Sequence, residues 1–414
     1  MNVDRGTPAA TAVREVRAWV EANVPAAWIE AGRRGGSAAV REVRARADYE
    51  AWYPVFAGSG LVVPTWPVEY GGLDVSPEVA RAIDAELRPY NLGRLNPLGL
   101  NNTAPALYAY GTEEQRLRFL PPMVRNEEKW CQLFSEPGAG SDLASLATRA
   151  ERDGDVWSVT GQKVWSTWAH FSDVAILLAR TDADAPKRQG ITYFLLDLHQ
   201  PGVEVRPLRH IGGEVEFNEV FLERALVPDA YRVGEIGQGW KVANATLSGE
   251  RQMVSGAGSG GVDRIGGRGV EHLFELARSS GRGSDATMRQ HLMRVFSEER
   301  IRDWTNQRVR AQVKAGRSPG PESSIGKVHQ GELNQRIQLL ATDLLGAGAM
   351  AWPAGEQAHG PPPLEVRGML RSRANTIEGG TTEVNKNIVG ERVLGLPREP
   401  DPWQGAPWRE VPRS

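Results

Sequence analysis

The chain is nearly free of cysteine. Its one thiol, Cys131, cannot close an internal disulfide, and the opening stretch MNVDRGTPAATAVREV lacks the apolar centre of a secretory signal. The expectation is a reduced, cytoplasmic protein. No apolar run approaches the roughly 20 residues of a bilayer-crossing helix, so no membrane span is expected. A basic excess is missing as well: 49 Lys and Arg stand against 51 Asp and Glu, a net charge of -2, which removes the electrostatic footprint of a nucleic-acid binder. The seven histidines are scattered without an H-x-x-x-H pair, and C-x-x-C does not occur, so no metal site is expected.

What is present is length and period. The 414 residues suffice for two to three domains, with 40% hydrophobic and 24% charged residues. Val13, Val16, Trp19, Val20 and Val24 recur at three- and four-residue steps and predict an amphipathic helix from Ala9 to about Arg34. The same spacing returns in Val79 to Leu87 and Glu113 to Met123. After Trp130 the period changes. Val156 to Val159, Val174 to Leu178, Ile191 to Leu196, Val203 to Val205 and Val215 to Leu222 are short, rich in branched or aromatic residues, and separated by turn signals. Strands without intervening helices imply an antiparallel sheet or barrel. Beyond Trp240 the helical period resumes, and the Pro-rich last dozen residues are expected to fray. The fold class is therefore α+β and multidomain: an N-terminal helical domain over 1–128, a middle antiparallel β domain over 129–236 and a C-terminal helical domain over 237–414.

Three motifs call for weighing. Gly256, Gly258 and Gly261 satisfy G-x-G-x-x-G, but a helix pattern precedes them where the dinucleotide fingerprint requires a strand, so they read as a loosened helix or loop. The segment Ser135-Glu136-Pro137-Gly138-Ala139-Gly140-Ser141-Asp142 joins two glycines, which permit close backbone approach, to two hydroxyls. Such a loop can wrap polar ring edges or phosphates, although most loops of this composition are only turns. In Gly161-Gln162-Lys163-Val164-Trp165-Ser166-Thr167-Trp168, strand alternation would set Trp165 and Thr167 on one side, an aromatic plane beside a hydroxyl that can flank a flat heteroaromatic ring. A core tryptophan is the plain alternative. Cys131 reads as a small buried hydrophobe, and His170 and His210 have no identifiable partner.

The order SEPGAGSD, GQKVWSTWAHFSDVAILLART, FNEVFLERALVP, GQGWKVANATLSGER and TIEGGTTEVNKNIVGERVLGLPRE closely resembles the acyl-CoA dehydrogenase family of flavoproteins over about Leu61 to Glu399. The resemblance implies an N-terminal helical domain, a middle β domain and a C-terminal helical domain like a four-helix bundle. It implies non-covalent FAD with its ring between the β domain and the C-terminal helices. It also implies tetramers, whether homotetramer or heterotetramer, and electron-transferring flavoprotein as acceptor. By the same resemblance Phe134, Ser135, Ser141, Trp165, Thr167, Thr381 and Glu383 contact the flavin, and Ser141 also touches the thioester. The family's Arg-x-x-Phe is absent, and Arg282 is taken as its substitute.

The implied reaction oxidises an acyl-CoA to the 2,3-enoyl-CoA: a carboxylate removes the α proton while hydride leaves the β carbon for flavin N5. Enolate-like charge on the thioester oxygen calls for preorganised donors, and the resemblance implies that one of them is the Gly379 N–H. Most relatives carry the base just before Gly380-Thr381, but that residue is Gly379, and Glu378 is displaced by one place. The second location in the family, the first helix of the third domain, is occupied by Glu250, followed by Arg251 as a structural or substrate-orienting residue. Glu250 is the expected base, with a pKa above the roughly 4.3 of free Glu beside an apolar ligand. Glu378 is the alternative base. Alternative functions are an oxygen-using oxidase or monooxygenase and an architectural subunit of a mixed tetramer.

Overall fold

Helix α1 (Ala9–Asn23) buries Ala12, Val16 and Val20, the four-residue stripe expected of an amphipathic segment. It is not continuous to Arg34. Val24 is extended, with ψ 135°, and α2 (Ala26–Val43) begins after Pro25. Proline disfavours a helical residue before it, so the single long helix expected from periodicity is two. The computed structural model describes residues 1–254, 269–315, 320–351 and 362–412, and within them not the side chains of residues 248–254, 310, 313 and 314. The glycines at 256, 258 and 261 lie outside the described residues.

Helices α3 (Arg46–Ala57), α4 (Pro77–Leu87), α5 (Ala104–Tyr110) and α6 (Glu113–Val124) complete the N-terminal layer. Two open on side-chain caps. Ser76 accepts the Val79 N–H at the head of α4, and Thr112 with Gln115 forms a capping box on α6.

The middle of the chain is one eight-stranded sheet. Its strands are β1 (Trp130–Leu133), β2 (Arg149–Asp153), β3 (Val156–Lys163), β4 (Val174–Arg180), β5 (Ile191–Asp197), β6 (Val203–Arg209), β7 (Val215–Pro228) and β8 (Arg232–Val233). The order is β6-β7-β3-β2-β4-β5-β8, with β1 beside β4. The ladders β2–β3, β3–β7, β4–β5, β5–β8 and β6–β7 are antiparallel, as expected. Two are not: β1 runs parallel to β4, and β2 touches β4 in parallel at Arg149–Arg180. Strand β1 arrives from the helical layer rather than through a hairpin, so no tight turn fixes its direction. Strand β4 and all of β5 but Asp197 are buried on both faces, with VAILLAR and ITYFLL as near-continuous apolar runs, whereas β6 alternates toward solvent. Cys131 is buried in this core, and burial pushes its thiol up to about 12.

Helix α7 (Gly239–Val254) leaves the sheet, and α8 (Val270–Ser279), α9 (Ala286–Lys314), α10 (Ser323–Leu345), α11 (Leu364–Ser372) and α12 (Thr382–Arg392) form the third layer. Leu273, Leu292, Leu333, Ile337 and Leu340 are among the residues of its core, with α10 packed against α8, α9, α11 and α12. None of the described helices is long and apolar enough to cross a membrane.

The tail corrects the expected fraying. Trp408 and Val411 are buried, and the Trp408 and Arg409 amides donate to the Ala185 and Ala183 carbonyls, so the last described residues lie along the middle sheet. Prolines restrict the tail's freedom when unfolded, and one large indole supplies enough apolar area to hold it down.

Candidate functional site

The glycine-containing loop after β1 is fixed from beneath by a buried ion pair. Lys163, fully buried at the end of β3, donates to the Phe134 carbonyl at 3.0 Å and to Glu136 Oε1 at 2.8 Å. Glu136 also accepts the Ala147 and Thr148 amides at 2.6 and 2.9 Å, which ties the two ends of the loop together. Burial would raise the Glu136 carboxyl, but the Lys163 ammonium and these donors hold it below the usual carboxylate range. Burial pulls Lys163 down, opposed by Glu136. Between these ties Gly138 and Gly140 face open space, and Ser141 is exposed. Asp142 accepts from Lys187 at 2.6 Å.

Trp165 and Thr167 do not share a strand face as expected. Strand β3 ends at Lys163, and Trp165 and Trp168 both take left-handed backbone, with φ 60° and 57°. The chain stays near the sheet because the Ser166 amide donates to the Asn218 carbonyl and the Trp168 amide to the Glu216 carbonyl. The positive φ turns Trp165 outward: its indole is 56% exposed and meets Phe217 edge-on at 5.7 Å. Left-handed tryptophan costs roughly 1–2 kcal/mol, strain that packing of the flanking buried Val164 and Ser166 sustains. Thr167 is half-buried beside it. His170 is not without a partner: its Nδ1 lies 2.8 Å from Asn218 Oδ1. His210 Nδ1 accepts the Gly212 amide, and burial lowers the imidazole.

Phe217 also links this rim to the third layer. The Arg371 guanidinium of α11 stands 5.6 Å from its ring, donates to Glu216 at 2.9 Å and reaches Glu378 at 2.9 Å. Asn375 adds a hydrogen bond to Glu378 at 2.8 Å. Glu378 is therefore held by a guanidinium and an amide. Gly379 and Gly380 follow in left-handed conformation, φ 63° and 86°, which only glycine enters without strain. Thr381 then caps α12 by accepting the Val384 amide at 3.1 Å, and Glu383 is exposed in the first turn.

Helix α7 meets the loop through Tyr193. The Tyr193 ring packs edge-to-face on Phe134, and its hydroxyl lies 3.1 Å from the buried Thr246 hydroxyl. Glu250 follows Thr246 by one helical turn. The side chains of Glu250 and Arg251 lie outside the described residues. Arg282, expected to reach a neighbouring cofactor, donates instead to the Asp343 carbonyl and lies 3.9 Å from Asp285.

These residues fit a flat heteroaromatic cofactor with a polar chain. An indole with an uncovered face, an exposed serine hydroxyl and two glycines in open space lie between ties that keep their backbone in place. The Val164 amide donates to the Ser135 carbonyl, so the Ser135 and Trp165 segments adjoin, and Phe217 with Arg371 connects that rim to Glu378, the residue before Gly379. Sequence reasoning passed over Lys163, Glu136, Glu216 and Arg371. Lys163 ends a mixed strand, VWSVTGQK, that gives its burial away only in the fold, and the Glu216–Arg371 pair spans 155 residues and left no signal.

Models of the acyl-CoA dehydrogenase N-terminal, middle and C-terminal domains match residues 11–127, 131–225 and 237–394. Acyl-CoA dehydrogenase IpdE1 of Mycobacterium tuberculosis is 38% identical over 392 residues, 93% of this chain and 97% of that protein. Acyl-CoA dehydrogenase FadE34 of the same organism is 38% identical over 87% of this chain but 48% of its own length, so the chain spans about half of that relative. Among solved structures, the Tcur3481-Tcur3483 steroid ACAD is 27% identical, covering 96% of this chain and 100% of that one with a TM-score of 0.71. The ChsE4-ChsE5 complex from Mycobacterium tuberculosis is 26% identical at a TM-score of 0.67, covering 96% and 100%. With all three domain models matched in chain order, the chain belongs to the acyl-CoA dehydrogenase family and is an oxidoreductase acting on acyl-CoA.

Proposed function

We propose that the chain binds FAD at the seam between middle sheet and C-terminal helices and converts an acyl-CoA to its 2,3-enoyl-CoA, with Glu250 as the base. When bound, FAD supplies the acceptor for the hydride that leaves the β carbon. In this reading Trp165 and Thr167 flank the ring, Phe134, Ser135, Thr381 and Glu383 line its site, and Ser141 contacts both cofactor and thioester. Gly379 donates its N–H to the thioester oxygen, where negative charge grows as the α proton leaves. Glu250 takes that proton, and Arg251 orients the substrate. The division at 128/129 and 236/237 separates the helical layers from the sheet that carries the site.

The observation that carries the choice of base is the state of its rival. Glu378 is held between Arg371 and Asn375, at 2.9 and 2.8 Å, so proton abstraction by it would break an ion pair that also anchors Glu216. The family's other base position belongs to Glu250. Its test is anaerobic bleaching of the yellow protein by a panel of acyl-CoA thioesters. Glu250→Gln should keep the flavin bound and abolish bleaching, while a bleaching Glu250→Gln protein would transfer the role to Glu378. A relative described as a steroid ACAD favours a bulky acyl group in that panel.

A second reading concerns assembly. Arg282 is engaged with Asp343 and Asp285 of its own subunit, which argues against its serving a neighbour's FAD. That favours a mixed tetramer, with the companion subunit completing the cofactor site, over a homotetramer. Colourless protein when expressed alone, turning yellow with a companion, would support it. Electron-transferring flavoprotein is the proposed acceptor and the cytoplasm the proposed compartment. Rapid peroxide formation would instead mark an oxidase.

A further inference from the structure

The segment from Arg398 to Pro412 has no part in the reaction as proposed, yet its contacts converge on one place. Trp408 inserts its indole against the middle sheet, donating through Nε1 to the Ser145 carbonyl at 3.3 Å. Its backbone amide donates to the Ala185 carbonyl at 3.0 Å, and Pro407 bridges to Pro186. The Arg409 guanidinium pairs with Asp184 at 2.6 Å on the surface. Residues 183–186 and Ser145 are thus gripped by one short stretch of tail.

Arg180 explains the consequence. It is 4% exposed at the end of β4, with its guanidinium 4.2 Å from the centre of the Trp408 ring. The same guanidinium donates to the Ala144 carbonyl at 2.7 Å, the Leu146 carbonyl at 3.0 Å and the Lys187 carbonyl at 3.1 Å. A buried guanidinium gains from an aromatic face, because the face offers negative potential where water is excluded. Without the indole, water reaches the guanidinium and competes for those carbonyls. Ala144, Ser145 and Leu146 form the return limb of the loop that carries Ser141, and Lys187 is the partner of Asp142 in that loop.

We propose that the C-terminal strap is a built part of the cofactor site, and that Trp408 is a positioning residue which, by covering Arg180 and holding Ser145, sets the Ser135–Asp142 loop for the flavin and the thioester. This rests on the proposed function of that loop. Lys163 and Glu136 fix the outgoing limb and its junction with Thr148, and Trp408 with Arg180 fixes the returning limb. Ser141 lies between the two.

Hydrogen exchange and flavin titration of the full-length protein test this together. In Trp408→Leu, which keeps apolar bulk but removes the aromatic face and the N–H, the Ser145 and Leu146 amides should exchange about tenfold to thirtyfold faster, the factor a desolvated cation–π contact is worth. The amides of Ile176 and Leu177 in β4 should not change. The Kd for FAD should rise by about tenfold or more, and Trp408→Phe, which restores a ring over Arg180, should recover most of the loss. If Trp408→Leu gives too little folded protein, Arg409→Ala, which loosens the strap from its exposed end, should show the same local pattern about two- to threefold. Unchanged exchange at Ser145 and Leu146, or an unchanged Kd for FAD with exchange accelerated, overturns the proposal. Ser141→Ala separates the two layers. If it leaves flavin and thioester binding untouched, the role of the loop fails. If it weakens them while Trp408→Leu does not, the strap alone fails.

Discussion

Replacing Lys163 by Met removes an ammonium that is fully buried and leaves Glu136 buried without it. Breaking one side of a buried ion pair typically costs about 3–5 kcal/mol, because the survivor is an uncompensated charge. Here Glu136 keeps the Ala147 and Thr148 amides, each a charge-assisted donor, so the lower end applies, about 3 kcal/mol. The loss is local to the loop ties, and a chain with three layers does not unfold in one two-state step. The suitable assay is therefore hydrogen exchange at Ala147 and Thr148, whose amides Glu136 accepts. Lys163→Met should accelerate both by about a hundredfold, and adding Glu136→Gln should restore most of the protection, giving a coupling of about 2 kcal/mol. The pH dependence follows the same pair. A carboxyl held below its ordinary value stabilises above about pH 4.3, and that stabilisation disappears as pH falls through the depressed value. Protection at the two amides should accordingly collapse in acid in the natural chain, and Glu136→Gln should remove that step. An exchange change below about fivefold in Lys163→Met, or single effects that simply add in the double variant, would refute the reasoning.

Two further expectations concern backbone and thiol. Gly379→Ala places a Cβ where φ is 63°, costing about 1–2 kcal/mol, and should lower kcat/KM for acyl-CoA more than it lowers Tm, read by steady-state kinetics beside thermal melting. Cys131 is buried with its thiol pushed up to about 12, so iodoacetamide at pH 8 should leave the folded protein unmodified and label it at once in urea, as mass spectrometry will report.

Local pattern and remote pairing divide what the residues disclosed. VAILLAR reads as a strand because the pattern is local and every position but the last is apolar. The motifs around Phe134, Trp165 and Gly379 were legible as strings for the same reason. Geometry that depends on distant partners was not. Strand alternation put Trp165 and Thr167 on one face, but left-handed backbone at Trp165 and Trp168 takes that segment out of the ladder, while bonds to Asn218 and Glu216 keep it beside the sheet. The tail read as frayed because of its prolines, while its anchor, Trp408, finds Ser145 across 263 residues. Arg371 holds Glu378 and Glu216 together through a meeting of α11 and β7 that no periodicity encodes.

The central claim is that a carboxylate at position 250 removes the α proton. Incorporation of deuterium at the α carbon of a thioester that can lose its α proton but cannot be oxidised, followed by NMR in heavy water, reads that step without any electron acceptor. The account predicts exchange with the natural chain and with Glu378→Gln, and none above background with Glu250→Gln that still carries flavin. Exchange undiminished in Glu250→Gln and lost in Glu378→Gln would contradict it.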